Sequence, residues 1–346
     1  MTLAKVIAGR IAAAGPITLA EYMAECLLHP TLGYYTTRDP FGAGGDFTTA
    51  PEISQMFGEL LGLALAQCWL DQGAPGRIVL AELGPGRGTL MADVLRATRG
   101  VPGFHAALQI CLVEASPVLR VRQAQALAGY APLWFDTVQG LPQGPLFLLA
   151  NEFFDALPIR QFQREGAGWR ERMVGLTGGA LGFGLAPVAQ VPGLPVMEQG
   201  AIVEMCPAAT GIVAEVSARI AAEGGVAVIV DYGGWQSQGD TFQALKSNTF
   251  ADPFADPGQA DLTAHVDFAA LAAASPLEHA YLTQGAFLGR LGIAARAARL
   301  AERLSGGRLQ SHLAATRRLT DAAEMGTLFK VLVLYPATSP QPPGTV

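Results

Sequence analysis

From residue 78 onward the apolar positions alternate between two rhythms. Short unbroken runs such as Ile78-Val79-Leu80-Ala81 and Leu146-Phe147-Leu148-Leu149-Ala150 have the length of strands buried on both faces. Segments with helical spacing lie between them. The pattern predicts strands at 78–82, 108–114, 132–135, 146–150, 226–230, 280–282 and 329–335, with helices at 89–97, 117–128 and 208–222. Strands and helices in alternation predict an α/β fold with a seven-stranded, doubly wound sheet.

Before residue 78 the pattern is helical. Leu3, Ile7 and Ile11 recur one turn apart, and Thr18 followed by Glu21 is a capping-box signature. Residues 1–76 are expected to form an N-terminal helical and lid region around the glycine-rich stretch 33–52, followed by a main domain at 77–336. Two insertions, at about 161–203 and 240–325, interrupt that domain. The first carries glycine-punctuated short strands, the mark of an antiparallel hairpin layer. The second mixes polar loops with an alanine-rich helical run at 291–304. Prolines at 336, 340, 342 and 343 predict a disordered tail at 337–346.

Composition narrows the partners. The chain has 346 residues and is half apolar, ample for a packed core, and its formal charge of −6 argues against a nucleic-acid partner. Four scattered cysteines without a C-x-x-C pair read as buried free thiols in a reducing compartment. The alanine-rich start with Lys5 and Arg10 is similar to a presequence, but its apolar spacing favours a packed first helix, so a cytoplasmic location is expected. No window approaches the roughly twenty apolar residues of a membrane span.

The first strand ends in Glu82 and breaks into Gly84-Pro85-Gly86-Arg87-Gly88-Thr89. Glycines Gly84, Gly86 and Gly88 bring ligand atoms against main-chain N–H groups at a helix start. Glu82 would repel a dinucleotide pyrophosphate, whereas S-adenosylmethionine (SAM) offers an ammonium and a sulfonium. Thr89 stands where the third glycine of a G-x-G-x-x-G fingerprint would fall. The loop therefore favours SAM over NAD. Glu114, at the tip of the next strand, is placed to accept the two ribose hydroxyls. Methyl transfer from a sulfonium requires no metal.

With the loop, Glu114 and the segments 15–17, 45–59, 113–117, 150–158, 231–233, 261–268 and 325–332, the chain resembles the MidA-type family of SAM-dependent protein arginine methyltransferases, the family of the mitochondrial complex I assembly factor. The resemblance covers nearly the whole chain. It implies a Rossmann-like SAM-methyltransferase core, SAM as cofactor, and a protein substrate, which in the mitochondrial members is an arginine of a complex I subunit. An arginine acceptor needs carboxylates that gather its charge, and Glu152 and Asp155 follow the strand expected beside the glycine loop. The rival reading of both is a cap for the next segment. Asn151 is either a strap or the group that orients the nucleophile. Asp231 is a supporting acid or a turn former, and His265 orients substrate or is a structural loop histidine. Asp46, Thr48, Thr49, Pro51 and Glu52 are expected to close over SAM. Tyr34 or Tyr35 covers adenine, frames an arginine or packs, and Arg87 pairs with the methionine carboxylate or is solvated. Competing functions are a SAM-binding assembly chaperone with little turnover, a methyltransferase for another substrate class, and an NAD-linked oxidoreductase, the last opposed by Glu82 and Thr89. The oligomeric state is not read from the sequence.

Overall fold

The computed structural model of the protein describes residues 1–38, 48–237 and 239–346. Seven strands form its central sheet: β1 (Ile78–Leu83), β2 (Leu108–Val113), β3 (Leu133–Phe135), β4 (Leu146–Asn151), β5 (Gly225–Gly234), β6 (Glu278–Thr283) and β7 (Phe329–Tyr335). Their order is β3-β2-β1-β4-β5-β7-β6, with the two-residue strand Val266–Asp267 added beside the end of β5. Strands β1 to β5 are parallel, and β7 runs antiparallel between β5 and β6. The order turns back at β1, so the loops after β1, β2 and β4 flank one crevice at the carboxyl edge.

The apolar runs become strands because both faces of the sheet are covered. Ile78 and Leu80 belong to the apolar layer on one face, and Val79, Ala81 and Leu83 to the layer on the other. A third apolar cluster lies apart from these. Helices α1 (Leu3–Ala14) and α2 (Leu19–Leu28) contribute Ile7, Tyr22 and Met23 to it, and the insertions contribute Val174 and Leu262. Ile17–Thr18 pairs with Gly168–Thr177, placing the N-terminal segment on the edge of the first insertion's antiparallel sheet. At the start of α2, Thr18 Oγ1 accepts the Glu21 N–H while Glu21 Oε2 accepts the Thr18 N–H, the expected capping box.

Two expectations need correction. The second insertion contains more regular structure than its polar sequence suggests: a three-stranded sheet (Gln243–Lys246, Thr249–Ala251, Asp261–Thr263) and a helix at Gly306–Thr320. That helix buries only Leu319, which is why it leaves no apolar periodicity. The tail is not a disordered segment. Pro342 and Gly344 are buried, and Arg290 Nη1 donates to the Thr345 carbonyl at 3.1 Å. A Cβ at Gly344 would meet Phe287 Cε2 at 2.8 Å, so the proline-rich chain lies in an apolar groove that composition does not reveal.

Helix α3 (Gln55–Asp71) packs against α4 (Thr89–Thr98), the helix that begins at the glycine loop, and the approach is close: a Cβ at Gly62 would lie 2.9 Å from Val94 Cα. Beside this contact Glu59 is almost fully buried. Arg96 Nη1 donates to its Oε1 at 2.6 Å, and Arg296 from α5 (Ile293–Ala301) donates through Nε to Oε2 at 2.7 Å. Burial works against the anion, but the hydrogen bonds from Arg296 and Arg96 prevail and hold the carboxyl below its ordinary range. Its stabilising contribution is therefore present above the ordinary glutamate range and is lost as pH falls through the folded-state value. Glu59→Gln should lower the unfolding free energy at pH 7 by about 1–3 kcal/mol. Thermal unfolding of both proteins from pH 7 down toward about 3 checks this, and the difference should shrink on the acid side.

Candidate active site

The glycine loop takes a backbone that side chains disfavour. Gly84, Gly86 and Gly88 have φ of +58°, +52° and +83°, and Gly88 is the residue from which α4 starts. At Gly84 the surroundings matter as well, because a Cβ would lie 2.8 Å from Phe153 Cδ2. Thr89, in place of the third fingerprint glycine, donates through Oγ1 to Glu52 Oε1 at 2.6 Å. This ties the loop to the short helix Ala50–Ile53.

The two strand-tip acids occupy different places. Glu114 lines the cavity; its Oε1 accepts the Ser116 N–H at 2.7 Å and its Oε2 accepts from Gln123 Nε2 at 2.9 Å. One lone-pair position on each oxygen remains after these bonds, enough for two hydroxyl donors. Glu82 lies behind the loop and is 2% exposed, outside the cavity wall, with Oε2 lacking a hydrogen-bond partner among the described residues. Burial, against the favourable Met91 N–H, pushes its pKa up to about 8, and the nearby Glu114 adds to the rise. Burial also raises the pKa of Glu114.

Gln123 is a residue the sequence reading missed. It is fully buried and donates to both the Gly86 carbonyl, at 2.7 Å, and Glu114, while its own Oε1 accepts from Trp134 Nε1 at 2.8 Å. One amide therefore fixes the loop relative to the acid. Nothing in the local pattern separates it from Gln125; only its burial does.

The turn after β4 supplies the other acids. Glu152 has φ +51°, a left-handed conformation unusual for a side chain of this kind, and its N–H donates to the Val230 carbonyl at 2.9 Å. Asp231, fully buried on β5, accepts through Oδ2 the N–H groups of Phe153 (3.2 Å), Phe154 (2.9 Å) and Asp155 (3.2 Å), and through Oδ1 that of Tyr232. It is thus the acid that holds the turn. Glu152 Oε1 accepts from Asn151 Nδ2 at 3.1 Å and from the Ala50 N–H at 3.0 Å. Asn151 Oδ1 and Asp155 Oδ1 are buried without a hydrogen-bond partner among the described residues. Burial pushes Glu152 up to about 7, with Asp155 adding to it, and burial pushes Asp155 up to about 6 against the effect of the neighbouring Tyr232 hydroxyl. Asp231 is raised too, by burial and then by the Asp155 and Glu152 charges.

Both halves open into one cavity of about 450 Å³, within the range of small-molecule sites. Gly84, Gly86 and Glu114 from the glycine-loop side and Glu152, Asp155 and Asp261 all line it, and Phe153 of the acidic turn abuts Gly84. Glu114, Glu152, Asp155 and Asp261 bring four carboxyl groups to the wall, and no lysine or arginine is among the described lining residues. Tyr35 rather than Tyr34 faces the cavity. Its hydroxyl donates to Asp261 Oδ1 at 2.8 Å, and its carbonyl accepts from Ser116 Oγ at 2.6 Å. Tyr34 is buried in the N-terminal core. His265 lines the cavity with its ring 5.5 Å from that of Tyr232, and burial followed by the Lys330 charge lowers its pKa. Thr48, Thr49, Pro51 and Arg87 are not in the wall; Thr49 precedes the helix whose Ala50 N–H reaches Glu152. Asp46 lies outside the described residues.

These features fit SAM. The loop leaves a side-chain-free cradle, Glu114 retains acceptor capacity, and the carboxyl-lined cavity attracts an ammonium and a sulfonium.

A family model described as "Putative S-adenosyl-L-methionine-dependent methyltransferase" matches residues 60–285. Protein arginine methyltransferase NDUFAF7, mitochondrial, of Danio rerio is 40% identical over 328 residues, covering 85% of this chain and 78% of that protein. Its Homo sapiens counterpart is 37% identical over 361 residues, covering 94% and 82%. A crystal structure of a Burkholderia thailandensis protein bound to S-adenosyl-homocysteine is 29% identical, with a TM-score of 0.84 over 99% of this chain and 94% of that one. The expected cytoplasmic location is corrected by the names of the curated relatives, each of which calls its protein mitochondrial. No helix among the described residues is long and apolar enough to cross a membrane. By its family match, its relatives and its fold, the chain belongs to this family of S-adenosyl-L-methionine-dependent methyltransferases.

Proposed function

We propose that this methyltransferase transfers the methyl group to the guanidinium of an arginine in a protein substrate, with Glu152 and Asp155 as the acids that receive it. The observation that carries the reading is the cavity wall, with four carboxyl groups and no described lysine or arginine. Guanidinium has five N–H donors and no acceptor. The unpartnered Oδ1 of Asp155 is an acceptor on a residue of the cavity wall, and Asn151, which is not in the wall, donates to Glu152 from beside it. The curated relatives are themselves named protein arginine methyltransferases. A complex I subunit, to which the resemblance points, is the first protein to try.

SAM, when bound, supplies a methyl on a sulfonium whose sulfur keeps the bonding pair as the new N–C bond forms. Gly84, Gly86, Gly88, Glu114 and, from behind the loop, Glu82 hold that end of the site. Thr48, Thr49 and Pro51 act indirectly, by placing the Ala50 N–H on Glu152. Glu152 and Asp155 draw positive charge toward the far nitrogens, leaving the attacking nitrogen richer in electrons. The methylated nitrogen then sheds one proton. Carboxylates with proton affinities raised to about 7 and about 6 are matched to take it near neutrality and pass it to water.

The direct test is transfer of isotopically labelled methyl to candidate proteins, followed by mass spectrometry of the modified residue. Label on arginine supports the reading; label confined to lysine, histidine or a non-protein acceptor overturns it.

Glu114→Ala should weaken SAM binding by about tenfold to a hundredfold, through lost charge-assisted hydrogen bonds worth roughly 1.5–3 kcal/mol. Calorimetric titration checks this, and an affinity within about twofold of wild type would remove Glu114 from the ribose end.

Glu152→Gln retains an acceptor for the Ala50 N–H but loses the anion. Single-turnover transfer at saturating SAM should fall on the order of a hundredfold with SAM affinity preserved. Stability should move the other way. An acid whose folded pKa is raised loses native stability as pH climbs from the ordinary glutamate value to about 7, so the glutamine variant should melt higher than wild type at pH 8 and equally at pH 4. Near-normal turnover would reduce Glu152 to a cap.

A further inference from the structure

Three large apolar side chains stand in water around the mouth of the active-site cavity. Leu28 ends α2, Phe250 is the middle residue of Thr249–Ala251, and Leu328 ends the short helix Met325–Leu328. They are 45%, 78% and 51% exposed, and all three line the cavity. These residues come from segments far apart in sequence that converge on this opening. Leu245, paired with Phe250 across the hairpin, also lines the cavity and carries the apolar surface inward. Large apolar groups left in water around a cavity that holds four carboxyl groups mark an interaction edge.

The charge of the interior and the chemistry of the rim select different parts of one ligand. An amino acid or small metabolite reaching the acids would leave the rim wet. The geometry points to an extended polypeptide segment that inserts an arginine toward Glu152 and Asp155 and lays large aliphatic side chains on either side of it against Leu28, Phe250 and Leu328. The substrate is thus a protein whose target arginine has apolar neighbours in an accessible stretch. This deepens the arginine reading and rests on it. Charged flanks are disfavoured because they would lose hydration against the rim without gaining a partner.

Fluorescent peptides titrated into the full-length protein with S-adenosylhomocysteine present test the inference. Binding is compared for a central arginine flanked by leucines, for the same arginine flanked by serines, and for citrulline flanked by leucines. The leucine-flanked arginine peptide should bind on the order of tenfold tighter than the serine-flanked one. In Phe250→Ser and in Leu328→Ser, both surface changes, that preference should shrink toward unity. Equal binding of leucine- and serine-flanked arginine by wild type overturns the rim assignment while leaving the arginine reading standing. Equal binding of citrulline and arginine, with the leucine preference intact, overturns the arginine reading instead, and with it the orientation proposed for the segment. Failure of every peptide to bind overturns both.

Discussion

The N–H groups of Phe153, Phe154 and Asp155 converge on one oxygen of the buried Asp231 carboxylate, whose other oxygen takes the N–H of Tyr232. Those bonds fasten the end of β5 to the turn that follows β4. Within that turn Glu152 is held at φ +51°, a conformation that costs on the order of 1 kcal/mol for a side chain of its kind and persists only when neighbours enforce it. Without this fastening, Glu152 and Asp155 would have no fixed direction, and the cavity would lose its acidic end. Asp231 does not itself line the cavity; it holds the wall residues Phe153, Asp155 and Tyr232 through their backbone N–H groups.

Concentrating acids in this way is destabilising. Glu82, Glu152 and Asp155 all carry proton affinities above the ordinary range, chiefly because burial disfavours their charged forms. The compensation lies elsewhere: two apolar layers on the sheet, and Glu59 paired with Arg96 and Arg296 behind the glycine-loop helix. A cavity that is poor in stability when empty gains most when cations enter, since the carboxyl groups can then ionise beside a partner.

Much of the central sheet was legible because its parallel strands are buried on both faces and read as unbroken apolar runs. The glycine loop was legible for a different reason: three positive φ values leave few residue types that fit. Glu114, Glu152 and Asp155 were placed in the cavity by their position at strand ends. Asp231 could not be resolved between its two readings, because whether an acid after a strand supports a turn depends on backbone brought from residue 153. Gln123 and the choice between Tyr35 and Tyr34 escaped for the same reason, each decided by packing between segments distant in sequence. Glu82 was read as facing the ligand, yet it is shielded behind the loop. The pairing of Ile17–Thr18 with the first insertion, and the docking of the proline-rich tail, are non-local contacts with no local signature.

The central claim is that a guanidinium occupies carboxylates whose protons are poised near neutrality. Calorimetry at pH 6.5, between the values for Asp155 and Glu152, measures it when an arginine peptide is titrated in buffers of different ionisation enthalpy with S-adenosylhomocysteine present. Entry of the cation should expel protons, on the order of one per peptide bound, and the release should fade by about pH 9, where both acids are already ionised. Binding with no net proton release at pH 6.5 would contradict the account.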